Sequence, residues 1–393
     1  MSVKIEVKDV VKIFGDKPEL AIKMLKEGHS KKEILKEIDQ TVALQDISFE
    51  VEEGEIFILM GLSGSGKSTL IRCINSLVKP TSGSVSIDGK RIDVMDRKQL
   101  REIRGKKTAM VFQHFALYPN RTVLDNAAFG LELRGMPEDE RYKRAEEALE
   151  RVGLAGWKDR FPTELSGGMK QRVGLARALA VDPEILLMDE PFSALDPLIR
   201  NEMQEELLAL QREMKKTIIF VTHDLDEGLR LGDRIAIMRD GRIEQIGDGR
   251  DIVTQPANEY VEHFVEKVNR TSVLSVEDVM ITPRDVLREG ESSWTAVKKM
   301  QRNDMNYIFV INKNNKLIGM LMLEDAMELV DENEKNIKKA LKKPEILEPS
   351  ASLEEASSKI LSTGIGVAVV DEERHLIGEV SWKEIMEIMG GSR

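Results

Sequence analysis

The run GLSGSGKST, Gly61 to Thr69, carries the spacing G-x-x-x-x-G-K-[ST], which suits the holding of a polyphosphate. Gly61, Gly64 and Gly66, with Ser63 and Ser65 between them, let successive backbone N–H groups turn inward, and a helix opening after Gly66 adds partial positive charge. Lys67 would reach the outer phosphates, while Ser68, followed by Thr69, would set a hydroxyl on Mg²⁺. Further along, ILLMDE ends an apolar run with Asp189 and Glu190. Adjacent acids at a buried strand end are costly unless a cation or a reacting water uses them. Asp189 would serve the Mg²⁺ shell and Glu190 would polarise the attacking water. His223, after the run TIIFVT, is placed to hydrogen-bond a γ-phosphate. Together these residues point to hydrolysis of a bound polyphosphate with Mg²⁺ as cofactor.

Such chemistry needs elements that bring the loop and the acids to one edge. IFILM (Ile56 to Met60) leads straight into the loop, and LIRCINSLV after it has helical periodicity. ILLM (Ile185 to Met188) and TIIFVT (Thr217 to Thr222) are also short continuous apolar runs, read as strands buried on both faces. Their alternation with helical patterns over residues 1–265 predicts an α/β fold.

The 393 residues predict two or three domains, and 41% apolar with 32% charged residues excludes a disordered or collagenous chain. A formal charge of −11 argues against bulk nucleic-acid binding, so no nucleic-acid partner is expected. No stretch reaches the roughly 18–20 apolar residues that span a bilayer, and MSVKIEVKDV lacks the layout of a secretory signal, which leads us to expect a cytosolic chain. Cys73, the lone cysteine, excludes an intrachain disulfide framework and reads as a small buried hydrophobe; no Cys/His cluster has zinc spacing.

Two further features organise the chain. Lys17 to Asp39 has the pattern of an inserted helical hairpin, with Ser30 and Glu33 as a capping box before Ile34, Leu35 and Ile38. Beyond about residue 270 lies an internal repeat: IFVI, NKNN and KLIG, ending at Gly319, are echoed by VAVV, DEER and HLIG, ending at Gly378. Each strand-turn-strand-helix copy is too small to be stable alone, so the two should pack together.

Leu165-Ser166-Gly167-Gly168, followed by the helical MKQRVGLARAL, completes a set of motifs that resembles the ATPase subunit of an ABC transporter. Ser166 follows Lys67 too closely for the long coiled-coil arm of DNA-repair ATPases. The resemblance implies a P-loop ABC-type nucleotide-binding domain over residues 1–265, with the insert at about 17–39. It makes Gln113 in VFQHFALYP the Q-loop residue, catalytic and a Mg²⁺ ligand beside Ser68 and Asp189; Ser193 to Asp196 becomes the D-loop and His223 the switch histidine. It further implies a homodimer that sandwiches ATP head to tail, with Ser166, Gly167 and Gly168 acting in trans, and a peripheral position on the cytoplasmic face of the membrane against permease subunits. Met169 stands where many such ATPases have Gln. Phe14 is the expected adenine-stacking aromatic, because the alternation of Phe49 with Ile47 and Val51 assigns Phe49 to a core-facing strand.

The finer resemblance is to glycine betaine and proline betaine importers of the quaternary-amine group. The insert, the run FSALDPLIR (Phe192 to Arg200) and the tandem repeat carry it. The repeat looks like an α+β CBS pair, with a linker at 266–275 and copies at about 276–332 and 333–390, regulatory in such importers. Solute choice would lie in the permease and in an extracellular or membrane-tethered solute-binding protein or domain. The family's ribose-binding Gly, Ser/Thr, Asp pattern is incomplete in both copies: Gly319, Met322 and Asp325, then Gly378, Ser381 and Glu384. A cyclic dinucleotide, an adenine nucleotide or ionic strength are the candidate effectors. Lys335, Lys338, Lys339, Lys342 and Lys343 offer either an anionic-membrane contact or a solvated helix face. The rival functions are import of another small solute such as an amino acid, and a soluble ABC ATPase acting on nucleic acid or ribosomes.

Overall fold

The computed structural model describes residues 2–113, 115–266, 268 and 270–389. The chain divides into two compact units, Met1–Val265 and Glu266–Arg393.

In the first unit the apolar runs become strands Ile56–Met60, Ile185–Asp189 and Thr217–Thr222, each buried at every position. They lie within a six-stranded sheet ordered Arg242–Gly247, Arg234–Arg239, Ile56–Met60, Thr217–Thr222, Ile185–Asp189, Thr108–Val111. All neighbours are parallel except the first pair. Parallel strands need crossovers that cover both faces, which is why these runs are continuously apolar rather than alternating. The register pairs Met60 with Thr222 and Asp189 with Val221, so the carboxyl ends of three strands finish together. Gly61, Glu190 and His223 therefore leave the sheet at one edge.

An antiparallel sheet ordered Thr41–Glu52, Val3–Phe14, Ser82–Ile87, Lys90–Arg91 shares a core with the first, filled by Leu70, Ile71, Cys73 and Ile74 of the helix Lys67–Ile74. Phe49 stacks on Phe57 in that core at 4.9 Å, the place its alternation implied. The insert forms the helices Pro18–Lys26 and Lys31–Ile38. Its capping box is complete: Ser30 N–H donates to Glu33 (2.7 Å) and Glu33 N–H to Ser30 Oγ (3.3 Å). Ala21, Met24 and Ile34 close over Val11, Ile13 and Val42. Phe14 still pairs with Thr41, so the hairpin loops out without opening the ladder.

The second unit repeats one motif: Val286–Arg288, Ser293–Arg302, Tyr307–Ile311, Leu317–Met322, Leu323–Asp331, then Ile346–Leu347, Leu353–Thr363, Val367–Val370, Leu376–Val380, Trp382–Met389. Each copy thus adds a short parallel strand and a helix ahead of the strand-turn-strand-helix read from sequence. Strands of three and two residues carry too little periodicity to be seen. Phe309, Leu317 and Met320 of one copy pack on Ala368 and Val370 of the other, burying faces neither copy covers alone. Leu274, in the stretch read as a linker, is buried with Val276 and Val367 in the second unit's core.

Candidate nucleotide and catalytic site

Gly61 leaves its strand at φ 151°, where a Cβ would lie 2.2 Å from Met238 O and 2.7 Å from Ser65 Oγ. Gly66 precedes the helix at φ 103°, where a Cβ would meet Ala43 O at 2.8 Å. Only glycine permits both the conformation and the approach. Ser63 and Gly64 are exposed, whereas Ser65 Oγ is buried with no partner among the described residues. A buried hydroxyl left open at the base of a loop of N–H donors fits a ligand rich in oxygen.

Lys67 is only 4% exposed; its ammonium donates to Gly61 O (2.7 Å) and Leu62 O (3.1 Å) and lies 3.9 Å from Glu190 Oε1. Burial holds its pKa below the ordinary lysine value, against the pull of Glu190 and Asp189. Ser68 Oγ donates to Asp189 Oδ1 at 2.9 Å, and Arg72 stands 3.7 Å from the other carboxylate oxygen. Burial raises the Asp189 pKa, with the Ser68 bond opposing it. A hydroxyl and a desolvated carboxylate side by side are hard oxygen donors, the set Mg²⁺ prefers.

Glu190 adopts the left-handed region at φ 47°, strain that persists at sites where geometry is over-determined. Its N–H is held by Val221 O at 3.1 Å. The carboxylate then sits between Gln113 Nε2 (3.3 Å) and His223 Nδ1 (3.3 Å). Gln113 also reaches Ser193 Oγ at 3.4 Å, and that hydroxyl donates to Glu190 O at 3.0 Å. The loop carrying His223 is braced behind by a buried network. Thr222 Oγ1 donates to Glu227, Gln204 Nε2 donates to the same carboxylate at 3.0 Å, and Asp224 N–H donates to Thr222 Oγ1 at 3.0 Å. Burial pushes the Glu227 carboxyl up.

Lys67, Ser68, Asp189, Glu190, His223 and Gln113 thus converge within one chain, with Gln113 on the Glu190 side rather than bonded to the Ser68–Asp189 pair. Other expected residues stand apart. Ser166 caps the helix Gly167–Ala180, accepting from Met169 N–H at 3.3 Å, and is exposed with Gly167. Gly168 is needed for packing, since a Cβ there would lie 2.5 Å from Ile199 Cγ2. Asp196 caps the helix Pro197–Met214 through Ile199 N–H at 3.1 Å. Among the described residues no hydrogen bond joins Ser166, Gly167 or Asp196 to the Gly61–Thr69 loop. Phe14 is 43% exposed under Lys12, whose ammonium lies 4.8 Å from its ring centroid. Its pairing with Thr41 sets it two residues from Ala43, which touches Gly66. Sequence reasoning placed Ser193 in the D-loop without its contact to Gln113, and assigned no role to Gly241, whose N–H holds Ser65 O at 2.9 Å. An Asp-Gly turn alone signals no such contact.

A loop that cradles phosphate, paired acids at the carboxyl edge of a parallel sheet and a tandem α+β repeat define an ABC-type ATPase unit followed by a CBS pair. The ABC transporter family matches residues 44–193, and the CBS domain family matches 276–332 and 337–391. The chain is 49% identical over 373 residues to the glycine betaine/carnitine transport ATP-binding protein GbuA of Listeria monocytogenes, covering 94% of this chain and 93% of that protein. It is 46% identical over 393 residues to the glycine betaine/proline betaine transport system ATP-binding protein ProV of Salmonella typhimurium, covering 99% and 98%. The first unit resembles the dimeric post-hydrolysis state of the ATP-binding cassette MJ0796 bound to ADP and Pi, with a TM-score of 0.54 and 35% identity over 63% of this chain and 99% of that one. The chain belongs to the family of ATP-binding subunits of glycine betaine and proline betaine ABC importers.

Proposed function

We propose that this chain hydrolyses ATP as a homodimer and thereby powers uptake of a quaternary-amine osmoprotectant, such as glycine betaine or proline betaine, through separate permease subunits. A separate solute-binding protein or domain would deliver the solute, and the chain would work at the cytoplasmic face of the membrane. No helix among the described residues is long and apolar enough to cross a membrane. The observation that carries the reading is the convergence of Lys67, Ser68, Asp189, Glu190 and His223 at one sheet edge, in a chain nearly half identical to betaine-transport proteins.

Within the site, Gly61, Gly64 and Gly66 present backbone N–H groups to the phosphates, Lys67 exchanges its carbonyl bonds for outer phosphate oxygens, and Thr69 continues the cradle. Ser68 and Asp189, with Gln113, would hold Mg²⁺, which neutralises phosphate charge when bound. Glu190 accepts the proton of the attacking water, and His223 and Gln113 orient Glu190 and the terminal phosphate. Phe14 stacks the adenine. Ser166 and Gly168 serve the other copy: Ser166 and Gly167 lie exposed at the N-terminus of the helix Gly167–Ala180, whose partial positive charge suits a γ-phosphate. ATP then closes the dimer and hydrolysis releases it, which moves the permease between its two states.

The CBS pair regulates this cycle. The two acids at the ribose positions are engaged by their own unit: Asp325 pairs with Lys342 at 2.7 Å, and Glu384 accepts from Ser381 N–H (2.9 Å) and from the Ser381 hydroxyl. That engagement favours a cyclic dinucleotide or ionic strength as effector over an ordinary adenine nucleotide. Lys338 is likewise paired, with Glu289 at 3.0 Å, in a short 3₁₀ turn, Ile337–Ala340, rather than an α-helix face. The test is reconstitution with the permease in vesicles: ATPase activity should rise with glycine betaine and change with salt. Activity indifferent to betaine but stimulated by an amino acid would select the rival importer.

A further inference from the structure

The helical hairpin inserted between Phe14 and Thr41 reaches the Asp240–Gly241 turn, whose Gly241 N–H holds Ser65 O of the phosphate loop. Its contact is Lys31, the first residue of the helix Lys31–Ile38. A Cβ on Gly241 would lie 2.3 Å from Lys31 Nζ and 2.2 Å from Ala43 O. A Cβ on Gly66 would in turn lie 2.8 Å from Ala43 O and 3.4 Å from Gly241 Cα. Gly241 N–H donates to Ser65 O (2.9 Å), and Gly241 O accepts from Gln45 N–H (2.8 Å). Lys31, the Asp240–Gly241 turn, Ala43 and Gly66 thus form one chain of contacts that ends beside Lys67. Phe14 reaches the same strand through Thr41.

The Lys31 ammonium stays partly exposed and makes no hydrogen bond or ion pair among the described residues. Two charged groups face it: Asp240, which favours its charged form, and Arg242, which opposes it. Burial outweighs both and lowers its pKa to about 8. A half-buried cation with no hydrogen bond or ion pair among the described residues, set against the Gly241 turn that holds Ser65 of the phosphate loop, is stabilised by an anion that the loop receives.

We propose that Lys31 is a nucleotide-binding residue, through which the inserted hairpin adds a positive charge to the site that holds the triphosphate of ATP. The inference rests on the ATPase reading and extends it to a segment with no other part in the chemistry. Charge attraction scales with the charge of the ligand, so Lys31 favours ATP over ADP and is indifferent to adenosine.

The experiment is nucleotide binding to the full-length protein at fixed low salt, with ATP, ADP and adenosine as probes, for the natural chain, Lys31→Gln and Lys31→Arg. Lys31→Gln should weaken ATP about five-fold, weaken ADP less and leave adenosine unchanged, and Lys31→Arg should restore ATP binding. With the natural chain, ATP affinity should fall as pH rises through about 8, as Lys31 loses its proton, and Lys31→Gln should lose that step, leaving only the later fall as Lys67 titrates; Asp240 remains anionic and Arg242 cationic throughout. Equal ATP affinity in Lys31→Gln, or an equal loss for ATP and adenosine, would overturn the proposal. Failure of the natural chain to bind ATP would overturn the ATPase reading itself, and this inference with it.

Discussion

Asp189 and Glu190 in the ATPase unit and Asp325 and Glu384 in the repeat unit are all acids at or shortly after strand ends, but the molecule treats them differently. The first pair is held under strain with capacity to spare. Glu190 sits at φ 47° between Gln113 and His223, and Asp189 is 4% exposed with one hydroxyl and a distant Arg72 for company. The second pair is consumed at home, Asp325 by Lys342 and Glu384 by the turn at Ser381. Groups built for a ligand keep their unfavourable environment because the ligand relieves it; groups drawn into caps and ion pairs have less to offer one.

Substitutions can break that contrast. The largest effect should come from Glu190→Gln, which leaves the phosphate loop intact but removes the base. ATP turnover should drop about 10³-fold while ATP-bound dimer accumulates, checked by phosphate release and size-exclusion chromatography. Unchanged hydrolysis would take Glu190 out of this role. Next, Lys67→Ala should cost roughly 100-fold in ATP affinity by calorimetry, because the ammonium trades two carbonyl bonds for charge-assisted phosphate bonds.

Asp189→Asn sharpens the comparison in the opposite direction. Burial raises the Asp189 pKa, so the folded protein binds that proton to higher pH than the unfolded chain does. Its stability therefore falls as pH rises from the unfolded carboxyl value through the folded one, and the penalty is fully present above the folded value. Asp189→Asn should then stabilise the nucleotide-free protein, by about 1 kcal/mol where the carboxyl is ionised in both states, while abolishing Mg²⁺-dependent turnover. A destabilised variant in thermal unfolding would mean the carboxylate is structural. The smallest effect belongs to the repeat unit: Glu384→Gln should cost under about 1 kcal/mol of stability through the weakened turn, with basal ATP hydrolysis unchanged.

The same contrast explains what could be read before any coordinates. IFILM, ILLM and TIIFVT announce buried parallel strands because their composition alone demands cover on both faces, and the order of acids and glycines then locates the edge. The Ser30–Glu33 cap and the core position of Phe49 are local signals of the same kind. Val286–Arg288 and Ile346–Leu347 are too short to announce themselves. Ser193, Gly241 and Lys31 acquire meaning only when distant segments meet, which no spacing along the chain encodes. Ser166 is legible as a motif, yet among the described residues no hydrogen bond joins it to the phosphate loop of its own chain.

The most direct measurement is the structure of Glu190→Gln with ATP and Mg²⁺ at a resolution that places side chains. The account expects two copies closed on two nucleotides, with Ser166 of each against the γ-phosphate seated on Lys67 of the other. Trapped ATP with Ser166 turned away from every γ-phosphate would contradict it.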